Sequence, residues 1–568
     1  MRAGGIQAAK AGSAGALLCL AALLGSPPAK AAETQADAVY VNGNIYTLDG
    51  QSAVVSAVAV LGGRFIAVGS DAEIERYVGP ETETVDLRGA PAVPGLIDSH
   101  LHLADAGKDV GLTPFSDVTT VSEALARIEA AVATKQPGEW IISGEWSPIA
   151  QLVEQRSPTA AELDAVAPHN PVFLDGDAAS ANSLAMELAG IHQNTPDPEG
   201  GVLQRGPAGD LTGVLEGTAA DLIRNVVPPP SVETLAVRYM AASNVANGFG
   251  LTSVVTPLSE PDELRALQGL VRDGKLTLRY SVILPPPDGG ASAAWEAAII
   301  SSGVSSGFGD EWLRLDSLGE MPADGGMTYG TALMRDAYPH DAGYYGTPTM
   351  SAEQLNAIVG AGARNDWRFT IHAVGDAAVD RVLDAYEAAG EERSIAGRRF
   401  IVLRGSLIQP DQLQRMKKLG VILQMENMFM WDKAAAVERN LGTEAANRTI
   451  PTRLAIDILG IDNVSQGSDF PTNSMNPWLN LYLAVTRKDH TGRLYGADQA
   501  IGRGEALRMY TTSGAYASFE EDAKGSIAVG KLADMVVLDR DYMTIPADQI
   551  KDVQAIMTIV GGQVVFRR

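Results

Sequence analysis

The chain has 568 residues, a hydrophobic fraction of 46% and a formal net charge of −25. This length predicts one large domain with accessory segments. The acidic charge is spread along the whole chain, which argues against nucleic acid and against an anionic membrane surface as partners. A small-molecule substrate is the expected partner, and the sequence leaves open whether the protein is a homo-oligomer.

Residues 1–31 have the pattern of a signal peptide. Arg2 and Lys10 precede an apolar run at 14–25, and an Ala-Lys-Ala sequence follows at 29–31. This order is typical of a cleaved export signal, and the apolar run is too short to span a membrane comfortably. Cleavage after residue 31 would remove Cys19, the only cysteine. We therefore predict a periplasmic or secreted protein without disulfides and without stable membrane insertion.

Both ends of the remaining chain predict β-structure. Residues 38–92 contain short alternating segments separated by Gly and Asn turns, and residues 520–568 contain segments of the same kind. Two β-rich ends can pair with each other across a central domain. We predict a composite β-sandwich built from 38–92 and 520–568.

The central region, residues 93–519, alternates strands and helices. Ser231 is a candidate N-cap for a helix that ends before Gly248, and strands are predicted at 251–256, 276–284, 368–374, 398–403, 421–425 and 463–469. Helices fill the intervals between most of these strands. Repeated units of this length predict a parallel sheet, and their number favours a closed (β/α)8 TIM-like barrel. Residues 105–230 do not follow the rhythm and are predicted to be a long insertion after the first barrel strand.

The stretch GLIDSHLHL at 95–103 places two histidines at the end of an apolar run. Strand residues two apart face the same side, so His100 and His102 are expected to point together into the barrel mouth. Active sites of parallel barrels lie at the carboxyl ends of the strands. Imidazole nitrogens are favoured ligands for zinc and similar metals.

The same rule finds two further candidate ligands. His372 ends the apolar run FTIH, and Asp469 follows the last predicted strand. Each has a structural alternative, a packed histidine or an aspartate that caps a helix ahead of Pro471. Together with His100 and His102 they would complete the ligand set of one divalent ion. Four more histidines lie in loop-like or inserted segments and are not assigned to the site: His169, His192, His340 and His490.

Four stretches resemble the amidohydrolase superfamily: PGLIDSHLHL (94–103), IHAVGDAAV (371–379), GSDFP (467–471) and GSIAVGKLADMVVLD (525–539). The similarity is greatest to the family-3 branch, which includes N-substituted formamide deformylases, and it extends from about residue 38 to the end. The resemblance implies a metal-bearing (β/α)8 barrel with a sandwich from both termini. It also implies hydrolysis of a C–N bond in an amide, formamide, carbamate or cyclic amide.

Four positions depart from the pattern of that family. Arg404 stands where a histidine is usual, Glu320 where a lysine is usual, Asp177 where a histidine is usual, and Glu426 where a glutamine is usual. A glutamate offers a carboxylate directly, so Glu320 is expected to bind one ion or to bridge two. The predicted metal ligands are His100, His102, Glu320, His372 and Asp469, and the predicted cofactor is one or two divalent ions, with zinc preferred.

Arg404 has two interpretations. A guanidinium stays charged and does not bind metal ions. It could polarise a substrate carbonyl or hold a substrate carboxylate, or it could pair with Glu320 or Glu426. The second arrangement would also suit a site that has lost its metal.

The resemblance implies that a metal-activated water attacks the substrate, with Asp469 as general base and Arg404 as a further catalytic candidate. The insertion is expected to shape the substrate pocket, and the family positions nominate Trp146, Asp177, Asn182, Glu216 and Arg404 for substrate contact. The alternative is a non-catalytic binding or regulatory protein on a decayed amidohydrolase barrel, because a fold does not guarantee chemistry.

Overall fold

The computed structural model describes residues 34–51, 53–144, 146–286 and 294–568. The predicted signal peptide at 1–31 lies outside these residues. Among the residues that are described, none of the helices combines the length and the apolar character that a membrane span requires.

Eight parallel strands form the central sheet, and each pairs with the next one along the chain. In chain order they are Leu96–Asp98, Leu251–Pro257, Arg279–Leu284, Leu313–Pro322, Phe369–Ala373, Ile401–Arg404, Ile422–Met425 and Val464–Gln466. Their residues are buried on both faces, as is typical of a sheet that is covered by helices. This arrangement confirms the predicted TIM-like barrel.

The barrel closes between its eighth and first strands through backbone hydrogen bonds. Ser99 N donates to Gln466 O at 3.0 Å. Beyond the strand ends, Ser468 N and Asp469 N both donate to His100 O, at 3.1 and 2.9 Å. The closure therefore holds the segment after the first strand against the segment after the eighth.

Helices cover the outside of the barrel. Val232–Gly248 precedes the second strand, and Ser231 caps it by accepting a hydrogen bond from Thr234 N. Gly248 is the last helical residue rather than the residue after the end, which moves the predicted boundary by one position. The helices that follow strands two to eight are Pro261–Arg272, Ala294–Ser302, Ala352–Arg364, Asp376–Glu392, Pro410–Leu419, Thr452–Leu459 and Pro477–Thr486. Shorter helices complete the barrel domain: Phe429–Asp432, Ala434–Leu441, Thr443–Arg448, Arg503–Met509 and Thr512–Ala517.

The segment between the first and second barrel strands, where the insertion was predicted, carries its own small sheet. Its strands, in spatial order, are Gly201–Arg205, Leu211–Gly217, Ala179–Ala181, Val172–Leu174 and Ile141–Ile142. Its helices are Val121–Val132, Pro148–Gln151, Ala160–Val166, Ser183–Leu188 and Ala219–Arg224. Two separate apolar clusters stabilise this region, so it packs around cores of its own.

The two chain ends meet in a pair of sheets. A four-stranded sheet contains Arg64–Gly69, Ala57–Leu61, Ala38–Val41 and Glu83–Asp86. A six-stranded sheet contains Gln563–Arg567, Ala555–Val560, Met535–Leu538, Pro91–Pro94, Asn44–Tyr46 and Val54–Val55. One short helix, Asp71–Ile74, packs against the first sheet. In the six-stranded sheet, Met535–Leu538 from the C-terminal region pairs antiparallel with Pro91–Pro94 from the N-terminal region.

Candidate metal centre

Seven polar side chains gather at the carboxyl ends of six barrel strands, where parallel barrels carry their active sites. Reading along the strands, they are His100 and His102 after the first, Glu320 in the fourth, His372 in the fifth, Arg404 in the sixth, Glu426 after the seventh and Asp469 after the eighth. The structure thus brings all five predicted metal ligands to one end of the barrel.

His100 and His102 converge on the same two carboxylates. Their Nε2 atoms lie 3.3 and 3.5 Å from Glu320 Oε2, and 3.5 and 3.7 Å from Asp469 Oδ1. The first strand ends at Asp98, so alternation along a strand does not explain this convergence. Backbone contacts position the pair instead, because His102 N donates to Phe470 O at 2.7 Å and His100 O accepts from Asp469 N.

The donor set around His100 suits a metal ion. His100 Nε2 and Asp469 Oδ1 are buried and have no hydrogen-bond partner among the described residues. Buried polar atoms without partners are rare in folded proteins and indicate a bound species. Ligand atoms within 4.8 Å of one another form two overlapping groups, His100 with His102 and Glu320, and His100 with Glu426 and Asp469. These residues therefore fit a divalent ion with nitrogen and oxygen ligands.

The electrostatics at this point favour a cation. Burial alone would lower the pKa of His100, but Glu320 and Asp469 outweigh it and raise the pKa well above its ordinary value. Burial would raise the pKa of Glu320, but His100, Arg404 and His372 lower it below its usual range. The carboxylates that stabilise positive charge on an imidazole would stabilise a metal ion in the same place.

His372 lies on the other side of Glu320. Its Nδ1 is 3.7 Å from Glu320 Oε1, and its Nε2 is 4.0 Å from Asp324 Oδ1. Burial and the nearby Arg404 lower the pKa of His372 to about 3, so its ring is neutral. His372 was predicted as a ligand of the same ion because it ends an apolar strand. Among the described residues, however, it belongs to neither group of clustered ligand atoms.

Arg404 lies among the carboxylates of the site. Its Nη2 is 2.7 Å from Asp469 Oδ2 and 4.0 Å from Glu320 Oε1, and its Nε is 3.6 Å from Glu426 Oε2. The guanidinium also stacks over the Phe429 ring at 4.9 Å. Pairing with Glu320 or Glu426 was one of the two interpretations of Arg404, and both side chains lie within 4.0 Å of it, but the nearest carboxylate is that of Asp469.

Glu426 is fully buried beside Arg404. Burial raises its pKa to about 8, against the opposing effect of the guanidinium. A protonated glutamic acid offers one donor and one acceptor, like the side-chain amide that it replaces. The glutamate can therefore serve where the family usually has a glutamine.

Two buried aspartates that the sequence reasoning did not assign support the centre. Asp98 Oδ1 accepts from His100 N at 3.2 Å and from Ser468 N at 3.0 Å, which joins the two ligand-bearing segments. Asp324 accepts from three backbone amides, those of Leu333, Val374 and Gly375. Asp98 ends an apolar strand and Asp324 lies two residues after another, and that signal could have found them.

The comparison with known families agrees with this geometry. The profile of the amidohydrolase family matches residues 83–566, nearly the whole described chain. The chain belongs to the amidohydrolase family. It is accordingly a metal-dependent hydrolase.

Three relatives show how far the similarity extends. Protein LONG AFTER FAR-RED 3 of Arabidopsis thaliana is 30% identical over 94% of this amidohydrolase and 92% of its own length. N-substituted formamide deformylase of Arthrobacter pascens is 29% identical over 94% of this chain and 98% of its own. The structure of an uncharacterized metal-dependent hydrolase of Pyrococcus horikoshii OT3 superposes with a TM-score of 0.69 at 25% identity, covering 90% of this chain and 99% of that one.

A cavity of about 340 Å³ opens beside the metal centre of the amidohydrolase. Its lining includes His372, Arg404, Phe429, Lys433 and Tyr329. Lys433 Nζ donates to Asn473 Oδ1 at 2.8 Å and lies 5.5 Å from the centre of the Phe429 ring.

The insertion residues nominated for substrate contact are not in that cavity. Trp146 and Asp177 line a second cavity of about 760 Å³, together with Lys108, Arg224 and Arg238.

The structure gives the other two nominated residues different surroundings. Asn182 is fully buried, and its side chain accepts from Val172 N and Ala185 N and donates to Ala167 O and Asn170 O. Its amide is thus used entirely by the backbone, so we withdraw the substrate assignment of Asn182. Glu216 is exposed on the strand Leu211–Gly217 and lines neither cavity.

Proposed function

We propose that this protein is an exported metal-dependent hydrolase that cleaves the C–N bond of an amide, formamide, carbamate or cyclic amide. One observation carries the proposal: His100 Nε2 and His102 Nε2 face the same oxygens of Glu320 and Asp469 at the barrel mouth, within 3.3–3.7 Å. Such a donor set, next to a cavity, suits hydrolysis by an activated water.

His100, His102, Glu320 and Asp469 would hold the ion. A zinc-like ion in this place supplies a water of lowered pKa and a positive charge that polarises a carbonyl. Asp469 accepts the proton of the attacking water and passes it to the departing nitrogen. Burial disfavours the charged form of Asp469, but His100 and Arg404 outweigh this and lower its pKa, so Asp469 is a carboxylate at neutral pH.

N-substituted formamides are the first substrates to test, because the deformylase of Arthrobacter pascens aligns with nearly the whole chain. The cavity beside His372 and Arg404, about 340 Å³, has room for a small acyl group and its nitrogen substituent. Larger cyclic amides and carbamates form the second part of the panel.

The test is hydrolysis by protein of known metal content. We expect release of amine from at least one member of the panel, loss of that activity with a chelator, and its return with zinc or another divalent ion. A metal-loaded protein that hydrolyses nothing across the panel, while binding one of its members tightly, would support the second candidate function instead.

That second candidate is a binding or regulatory protein on the same barrel. A specific contact favours this second candidate, since Arg404 Nη2 lies 2.7 Å from Asp469 Oδ2. A base that is held by a permanent cation is a weaker base. The hydrolase stays our first choice because neither oxygen of Asp469 has a hydrogen-bond partner among the described residues, so the ion pair with Arg404 leaves Oδ1 facing the histidines.

Export rests on the N-terminal sequence. The charged start, the apolar run at 14–25 and the Ala-Lys-Ala at 29–31 support cleavage after residue 31. Mass spectrometry of the protein from periplasmic and cytoplasmic fractions tests this. A full-length chain that is found only in the cytoplasm would remove export from the proposal without affecting the hydrolase.

A further inference from the structure

Glu320 and Asp469 each divide their two oxygens between the histidine pair and Arg404. Glu320 Oε2 faces His100 Nε2 at 3.3 Å, while its Oε1 lies 4.0 Å from Arg404 Nη2. Asp469 Oδ1 faces His100 Nε2 at 3.5 Å, while its Oδ2 lies 2.7 Å from the same Nη2. In both carboxylates, therefore, one oxygen faces His100 and the other oxygen lies toward the same guanidinium nitrogen.

The position of Nη2 is one where carboxylate oxygens would otherwise attract a second cation. Three acidic side chains surround the guanidinium, those of Glu320, Glu426 and Asp469, and the side chain of Arg404 is only 14% exposed. Buried carboxylates on one site repel each other strongly unless positive charge lies between them. Arg404 supplies that charge permanently, because a guanidinium does not lose its proton in proteins.

A metal ion and this guanidinium cannot share the place. The oxygens of Glu320 and Asp469 that do not face His100, Oε1 and Oδ2, are those that lie toward Nη2. An ion bound there would lie within a few ångströms of a positive group in a site shielded from water, where like charges repel most. Arg404 also offers no lone pair for coordination.

We infer that Arg404 acts as a built-in second cation, which restricts the centre to one metal ion and orients the other oxygens of Glu320 and Asp469 toward it. This inference rests on the proposed metal-dependent function. It makes Arg404 a positioning residue that acts through two carboxylates. His372, beside Glu320 Oε1, then lies on the Arg404 side of the centre and not among the ligands of the single ion.

Metal content per chain tests the inference directly. The protein is purified without chelator, equilibrated with excess zinc, freed of loose metal by gel filtration, and measured by elemental analysis. We expect about one ion per chain in the wild type and about two in Arg404→His, which removes the charge and adds a nitrogen ligand. Arg404→Lys keeps the charge and should stay near one.

Arg335→His is the matched control, because Arg335 pairs with Asp380 and Asp411 at the surface and should leave the count near one. Titration of the wild type with Co²⁺, followed by visible absorption, is a second readout that needs no variant. A single endpoint at one equivalent supports the inference. If Arg404→His does not fold, a second endpoint in the wild type still overturns the inference, and Arg404→Gln, which removes the charge without adding a metal ligand, takes its place in the metal count.

The outcomes separate the two proposals. Two tightly bound ions in the wild type would overturn the role of Arg404 and leave the metal-dependent hydrolase intact. One ion in both the wild type and a folded Arg404→His would also overturn it, because the arginine would then not be what excludes the second ion. A wild type that binds no ion under any condition would overturn the proposed function itself.

Discussion

Arg404 Nη2 lies 2.7 Å from Asp469 Oδ2, and this contact joins the ends of the sixth and eighth barrel strands. Both residues have left-handed backbones, with φ of 76° at Arg404 and 56° at Asp469. Aspartate adopts this conformation fairly readily, but an arginine there costs roughly 1–2 kcal/mol. Such strain persists only where the surroundings enforce it, and it concentrates at functional sites.

The surroundings that hold Arg404 are the Phe429 ring and the three carboxylates. Arg404 stacks on an aromatic ring and points toward Glu320 and Asp469, two of the candidate ligands. Simple loss of a metal centre would not require an arginine to adopt an unfavourable backbone conformation in this position. The contact therefore indicates a centre in which the arginine has a defined task.

Asp469→Asn tests the proposed general base. Asparagine has nearly the same shape and tolerates a positive φ, so the fold should be kept. We expect kcat to fall by roughly 10²- to 10⁴-fold, because an amide cannot accept the proton of the attacking water. The measurement is steady-state kinetics on the most active formamide of the panel.

Two controls accompany that variant. Metal content per chain must be measured in parallel, since Asp469 also faces the ion, and a fall in kcat at full metal content isolates the loss of the base. Asp462→Asn changes a surface aspartate that pairs with Arg508 and should leave kcat unchanged. Near-normal turnover of Asp469→Asn would remove Asp469 from the role of base.

His100→Ala should remove the metal. His100 belongs to both groups of clustered ligand atoms, so its loss leaves neither group complete. Wild-type protein should become more stable on addition of zinc, by about 2.7 kcal/mol when free zinc is 100 times the Kd. The variant should show no such gain in a thermal unfolding experiment, and it should carry little metal.

His169→Ala is the control for that experiment, because His169 is exposed and lies in the insertion. It should retain the metal and the zinc-dependent stabilisation. Equal stabilisation of His100→Ala and the wild type by zinc would mean that the ion binds elsewhere.

Much of this site could be predicted because one rule relates the strand order to the position of side chains. In a parallel barrel all carboxyl strand ends meet, so polar residues that end apolar strands lie close together wherever they occur in the sequence. That rule found His100, His102, His372 and Asp469. Glu320 required the family spacing in addition, since it lies within a strand that continues to Pro322.

The contact between Arg404 and Asp469 could not be predicted in this way. Strand order says which residues share the barrel mouth, but not which oxygen lies within 3 Å of a long flexible side chain. The assignment of Asn182 failed for a related reason. Its position in a motif suggested contact with the substrate, but only the tertiary structure reveals that four backbone groups use its amide.

Asn182→Ala should therefore reduce stability and leave substrate affinity unchanged. The change removes an N-cap and leaves buried backbone groups without partners, at a cost of about 1–3 kcal/mol. Chemical unfolding measures the loss, and KM of the folded variant measures substrate contact. A raised KM with unchanged stability would restore the sequence-based assignment.

Gly467→Ala should disturb the metal centre without changing any ligand. A methyl group at Gly467 would lie 2.9 Å from His100 Cβ and from its backbone N and O, closer than such contacts normally allow. Because His100 is fully buried, it must shift or the strand ends must separate, at a cost of about 1–3 kcal/mol. We expect weaker zinc binding in competition with a coloured chelator.

Gly504→Ala is the control, since a methyl there meets nothing within 4 Å. Unchanged zinc affinity in Gly467→Ala would show that the segment after the eighth strand does not hold His100 in its binding position.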